Sequence, residues 1–135
     1  MSYVIGADEL IRDLQRLGAD MEETKNEMLQ KGGEWLAAGW KDGINRFNLI
    51  KTGSMLKNVR YKLGKHRGQT AAVITSYGKD EFGTRNAAKA YIQHYGSSRI
   101  TATHWIDWAE DEYGPMAIED MGRVLAKKIE EKIGG

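Results

Sequence analysis

The chain has 135 residues, with 20 Lys and Arg against 19 Asp and Glu, so its formal net charge is +1. A molecule so nearly neutral has no global field to draw it onto nucleic acid or an anionic membrane, and any electrostatic partner must be met by a local patch. It contains no cysteine, which excludes disulfides, thiolate chemistry and cysteine-based zinc sites.

The length suits one compact domain over residues 1–135. Hydrophobic residues at 41% and charged residues at 29% are ordinary for a globular protein. Met1-Ser2-Tyr3-Val4-Ile5-Gly6 lacks the basic start and apolar run of a signal peptide. Apolar stretches fall far short of the roughly 20 residues that cross a bilayer. The expectation is a product made soluble in the cytoplasm, with no membrane partner.

The first long segment reads as helix. Leu10, Leu14, Leu17, Met21, Thr24 and Met28 recur at spacings of four and three, one stripe of a helical surface. Asp8 precedes the stripe, where its carboxylate can accept from the free N–H groups of a first turn. Between the apolar positions stand Arg12, Asp13, Arg16, Glu22, Glu23, Lys25 and Glu27, a solvated face. Gly32-Gly33 interrupts the pattern and predicts a kink or break, because each glycine costs about 1 kcal/mol in a helix interior. Helical spacing resumes through Trp35, Leu36, Trp40 and Ile44. The stripe is too short for a coiled coil and reads as a face buried against the domain's own sheet.

The period then changes to two. Val59, Tyr61 and Leu63 alternate with Arg60, Lys62 and Gly64, the pattern of a half-buried strand. The polar stretch Gly64-Lys65-His66-Arg67-Gly68-Gln69 predicts a hairpin connection with a mobile basic tip. Thr70 to Tyr77, rich in β-branched residues, is the antiparallel partner strand.

Residues 78–84 form a loop by composition. Asn86 to Tyr95 reads equally as a short helix or a further strand, closed by Gly96. Ile100-Thr101-Ala102-Thr103 is expected to be extended, and Trp105, Ile106, Trp108 and Ala109 to form a short helical or turn segment. Pro115 suits the first turn of a helix, where its missing N–H has no intrahelical partner. Ile118, Met121, Leu125, Ile129 and Ile133 mark that helix as amphipathic. The layout is α+β: a long N-terminal helix on a small antiparallel sheet, with a C-terminal amphipathic helix.

Signals for chemistry are weak. His66, His94 and His104 stand in different local contexts with no paired ligand spacing, so they read as surface or satisfied core residues and predict no metal site. Asp107, Glu110, Asp111 and Glu112 form an acidic cluster that, near His104, would have to line a concave site to support an enzyme. No nucleophile elbow accompanies it, and the glycines form no phosphate-binding loop. No cofactor is implied. Lys57, Arg60, Lys62, Lys65, His66 and Arg67 fall in one stretch free of acids, which supports an alternative reading as a nucleic-acid-binding accessory protein using the basic hairpin 57–67. For an isolated monomer the plainer reading is a solvated strand face and loop tip.

Two stretches carry a resemblance. Thr52-Gly53-Ser54-Met55-Leu56-Lys57-Asn58-Val59 is similar to a TGxLxxSV-like lead into the first strand, with one extra residue before the leucine. Thr84-Arg85-Asn86-Ala87-Ala88-Lys89-Ala90-Tyr91-Ile92-Gln93-His94-Tyr95-Gly96, followed by Ala102-Thr103-His104-Trp105-Ile106, resembles the RNAxxAFINEYG … ARPFI pattern. That pattern belongs to the head–tail joining and tail-completion family of long-tailed bacteriophages and prophages. His94 stands where the family usually has an acid, and Thr103-His104-Trp105 replaces Arg-Pro-Phe.

The resemblance implies a non-enzymatic assembly protein with an antiparallel sheet under a long helix. It implies rings, commonly hexameric, of copies of this chain between tail tube or tail terminator and head connector. Assembly would take place in the host cytoplasm, and the mature protein would sit in the virion neck. The segments expected to make subunit, tail or DNA contacts are the hairpin, through Lys57, Arg60, Lys62, Lys65, His66 and Arg67, and the 78–84 loop, through Lys79, Asp80, Glu81 and Phe82. Loops carry such roles because they can order on binding while the sheet stays fixed.

Overall fold

The computed structural model describes residues 3–5, 21–49 and 53–133. Asp8, Leu10, Leu14, Leu17 and Thr52 of the expectations above therefore lie outside the described residues. The elements in chain order are β1 (Tyr3–Ile5), α1 (Met21–Arg46), α2 (Ser54–Lys57), β2 (Val59–His66), β3 (Gln69–Ser76), α3 (Asn86–Tyr95) and α4 (Trp105–Ile133). The architecture is the expected α+β, with a long helix, an antiparallel sheet and a closing helix.

The sheet has three strands in the order β1-β3-β2, with both pairings antiparallel. Strand β1 had no counterpart in the periodicity, because three residues are too few to display alternation. Across the hairpin Val59 faces Ser76, Tyr61 faces Ile74 and Leu63 faces Ala72. Val59, Ala72, Ile74 and Ser76 are buried, whereas Arg60 and Lys62 point away and are exposed. The connection is tighter than its polarity suggested. Pairing continues to His66 and Gln69, leaving Arg67 and Gly68 as a two-residue turn with φ of 53° and 80°. Turns with positive φ at both central residues match the twist of paired strands, so the register runs to the tip.

Helix α1 passes through Gly32-Gly33 without a break. The reason is contact with neighbours. A Cβ at Gly33 would lie 2.6 Å from Cγ of Tyr61, and one at Gly39 would lie 2.8 Å from Cγ of Tyr113. These glycines let β2 and α4 approach the helix backbone, and the packing gained outweighs their low propensity. The stripe is not buried on the sheet alone. α1 packs most extensively along α4, and Met28 meets Met121 there in a small cluster of its own.

The main core joins Leu29, Leu36, Trp40 and Ile44 of α1 to Val59, Ala72 and Ile74 of the sheet and to Trp105, Ile106 and Ala109 of α4. Trp40 and Trp105 sit edge to face with centroids 4.9 Å apart, a favoured aromatic geometry. Trp105 also donates its indole N–H to the Ala90 carbonyl of α3 at 3.0 Å, so the two helices are fixed at one point.

The C-terminal third departs from the sequence reading. Ile100–Thr103 lies outside every helix and strand, but Trp105 opens a helix of 29 residues instead of a short segment. Pro115 lies inside that helix rather than at its start. Burial of Trp105, Ile106, Ala109, Ala117 and Met121 along α1 supplies packing that offsets the hydrogen bond proline cannot make. Ile118, expected on the buried stripe, is 72% exposed. Among the described residues no helix is long and apolar enough to cross a membrane.

Gly33→Ala is expected to lower unfolding free energy by about 1–3 kcal/mol despite alanine's higher helix propensity, since Tyr61 must shift. Gly122→Ala, whose Cβ would meet nothing within 4 Å, should raise it by up to about 1 kcal/mol. Urea unfolding of both variants checks the pair. Equal and positive shifts would show that glycine at 33 is not demanded by packing.

Candidate functional site

The segments singled out in the sequence meet at one buried side chain. Asn86, 0% exposed, donates its carboxamide N–H groups to Ser54 Oγ at 3.1 Å and to the Tyr77 carbonyl at 2.9 Å. Its backbone N–H donates to Gly78 O at 3.0 Å. The start of α2, the end of β3 and the first turn of α3 are thereby fastened together. Ser76 adds a bond from Oγ to Met55 O at 2.6 Å, and Tyr77 N–H donates to Asn58 O. Both stretches of family resemblance therefore converge, one contributing Ser54 and the other Asn86.

The 78–85 loop leaves this junction and is ordered from within. Asp80 Oδ1 accepts from the backbone N–H of Phe82 and of Thr84, each at 2.9 Å, while Oδ2 pairs with Lys89 Nζ at 2.9 Å. Lys89's ammonium, together with the Thr84 and Phe82 amides, holds the Asp80 carboxyl below the usual carboxylate range. A bridge between Lys79 and Arg85 closes the base of the loop. At its outer end Phe82 stands 78% exposed. Of the four loop residues expected to make contacts, Asp80 thus organises the loop, while Lys79, Glu81 and Phe82 face outward.

The basic residues divide. Arg60 donates to Asn58 Oδ1 at 3.0 Å, and Lys62 lies over the Tyr77 ring with Nζ 4.2 Å from its centroid. Both cover the outer face of their own sheet. Lys65 bonds Thr70 Oγ1 across the hairpin at 3.2 Å, and with His66 and Arg67 it forms the exposed tip. Lys57 is set apart. It ends α2, outside the hairpin strands, and lines a cleft of about 420 Å³ with Gly53, Ser54, Asn58 and Glu81, so this cation and one loop acid share a surface.

His94 and His104 do not stand apart, as their sequence contexts suggested, while His66 stays at the hairpin tip. Thr103 N–H donates to Gln93 O and His104 N–H to His94 O, which sets the start of α4 against the end of α3. Gly96 permits the turn between them. Its φ is 81°, and a Cβ there would lie 2.8 Å from Ala102 N. His94 and His104 then lie 5.3 Å apart between ring centroids, and each has a ring nitrogen 3.9 Å from Asp107. Together the three could present donor atoms to a cation, all within 4.8 Å of one another.

The geometry at His94 nevertheless describes a helix cap. Its Nδ1 accepts the Ile106 N–H at 3.2 Å, so the neutral ring carries its proton on Nε2, the nitrogen a metal would need free. Burial, with the charge of His104 assisting, lowers the His94 pKa against an opposing pull from Asp107. The acidic cluster does not converge. Asp107, Asp111 and Glu112 are exposed, and only Glu110 is half-buried, its pKa raised by burial and by Asp107 and Asp111.

Two outcomes follow from these arrangements. Asp80→Ala removes the acceptor of two loop amides and of Lys89, and should raise tryptic cleavage after Lys79 and Arg85 by roughly tenfold or more. An unchanged cleavage rate would show that Asp80 does not order the loop. For His94, a folded pKa below the ordinary value near 6.5 means that the unfolded chain takes up this proton first. Its stabilisation is complete above about pH 6.5 and declines as pH falls through the folded pKa. Urea midpoints measured from pH 8 to 5 should fall in the wild type and fall less in His94→Gln.

The model of the HK97-gp10-like family, described as "Bacteriophage HK97-gp10, putative tail-component", matches residues 8–96. This span takes in part of the segment before the sheet, the basic hairpin, the 78–85 loop and all of α3. No curated protein and no solved structure matches the chain. The match extends over more than half of the sequence, and the chain belongs to the HK97-gp10-like family of bacteriophage tail components.

Proposed function

We propose that the chain is a non-enzymatic subunit of tail completion or head–tail joining, one domain in extent, that forms a ring with its own copies. In this reading it assembles in the host cytoplasm and resides in the virion neck, docked to tail-tube or tail-terminator protein on one side and head connector on the other. The observation that carries the reading is the 78–85 loop, internally tied through Asp80 yet presenting an exposed phenylalanine. A large apolar side chain held outward on an ordered loop loses little further entropy when a partner covers it. Family membership supplies the structural setting, that of a tail component.

The hairpin tip Lys65-His66-Arg67 favours a second, narrower role in DNA contact, since it is exposed and free of acids. Arg60 and Lys62 are engaged with their own sheet, so such binding would draw on the tip and fall steeply with salt.

Sedimentation velocity across a concentration series, followed by electron microscopy alone and with tail tubes, tests the main reading. A discrete ring that caps tube ends is the expected result. A chain that stays monomeric up to about millimolar concentration and leaves tube ends bare would sink it. Loss of DNA binding in Lys65→Glu/Arg67→Glu, with ring formation retained, would establish the second role separately.

A further inference from the structure

We infer that Phe82 of one copy seats on the outer face of α4 of the next copy, over Gly114, Pro115, Ile118 and Gly122. The inference rests on the ring reading above and names its contact. The seat begins with an anomaly: Ile118 is 72% exposed on a helix whose other face is buried against α1. Positions 114, 115, 118 and 122 stand three and four apart, so they form one continuous strip. A Cβ at Gly114 or Gly122 would meet nothing within 4 Å, so open, shallow ground lies on either side of Ile118. An aromatic ring fits such a surface, since the exposed side chains of Pro115 and Ile118 are apolar and the two glycines leave room beside them.

The rims carry opposite charge. Around Phe82 stand the exposed cations Lys79 and Arg85, with Glu81 the exposed acid among them. Asp80 is already neutralised by Lys89. Bordering the seat are the exposed acids Asp111 and Glu112, while Glu119 and Arg123 are occupied by each other. A positive knob and a negative seat on the same chain select a second copy, whereas two like surfaces would repel. The knob cannot reach its own seat. Its loop is tied to the first turn of α3, and Ile118 lies thirteen residues, about 20 Å, along α4 from the Trp105 that anchors α3. The contact is thus head to tail, the kind that closes into rings.

The natural absence of cysteine makes a disulfide test clean. Glu81→Cys and Glu119→Cys place thiols beside knob and seat while leaving Phe82 and Ile118 intact. Mild oxidation of an equimolar mixture should give a linked dimer at several times the yield of either variant alone. Gly122→Leu, which fills the seat, should weaken self-association at least tenfold with its urea midpoint retained. Arg85→Glu and Glu112→Arg should each weaken it, and an equimolar mixture of these two variants should recover part of the loss. Equal linking of Glu81→Cys to itself, linking only to a tail-tube protein, or unaltered association of Gly122→Leu would each overturn this seat. If wild-type rings persist through those failures, the ring reading stands without it. A wild-type chain that never associates overturns both.

Discussion

The carboxamide of Asn86 occupies the point where three chain segments would otherwise separate. Ser54 begins α2, Tyr77 follows β3 and Gly78 opens the exposed loop, and all three are held by one buried side chain and its own amide. Leaving a buried donor unmet costs about 1–3 kcal/mol against roughly 1 kcal/mol net for a bond formed, so the three bonded N–H groups of Asn86 fix its place even though its Oδ1 has no hydrogen-bond partner among the described residues. That asymmetry gives the junction a defined geometry and passes it to the 78–85 loop. Asp80 then continues the same logic outward, trading solvent for two backbone amides and an ammonium. Phe82 is aimed by this chain of hydrogen bonds and touches little of the fold itself.

The other half of the molecule depends on close backbone approach. Gly33 and Gly39 admit Tyr61 and Tyr113 to the surface of α1, and the Gly43 backbone lies near Trp105. Trp35 reaches the opposite helix through a bond from Nε1 to Asp120 Oδ2, and Tyr113 donates its hydroxyl to Asp42. Trp35 and Tyr113 thus satisfy their polar tips at the edge of the contact, whereas the indole N–H of buried Trp40 has no hydrogen-bond partner among the described residues. This arrangement fixes α4 along α1 and decides which face of α4 remains outside, with Ile118 on it.

At the junction of α3 and α4, His94 takes a position where the family resemblance implies an acid. The geometry offers an equivalent: an imidazole nitrogen accepts the Ile106 amide at the start of α4, as a carboxylate oxygen could. The exchange leaves the helix start capped by a titratable group, whose burial moves its change of charge below the ordinary imidazole range. Its neighbours His104 and Asp107 complete a polar cluster that serves the joint between helices.

Much of this was legible in the residues. Alternation from Val59 to Leu63 with the β-branched run after Thr70 determined a hairpin, and spacings of three and four determined the two long helices, because those periods are set by backbone geometry alone. Composition likewise marked 78–84 as a loop. Which side chains meet was not legible, because propensity describes a residue's own backbone and says nothing of the surface laid against it. Gly32-Gly33 read as a break until Tyr61 was found on it, Pro115 as a start until the packing of both flanks was seen, and Ile118 as core until α1 covered the other face of its helix. His94, His104 and Asp107 were likewise separate marks on a line until the turn at Gly96 folded one helix end against another. Local periodicity thus settled the elements, and only tertiary packing settled which of their faces are spent within the fold and which remain exposed.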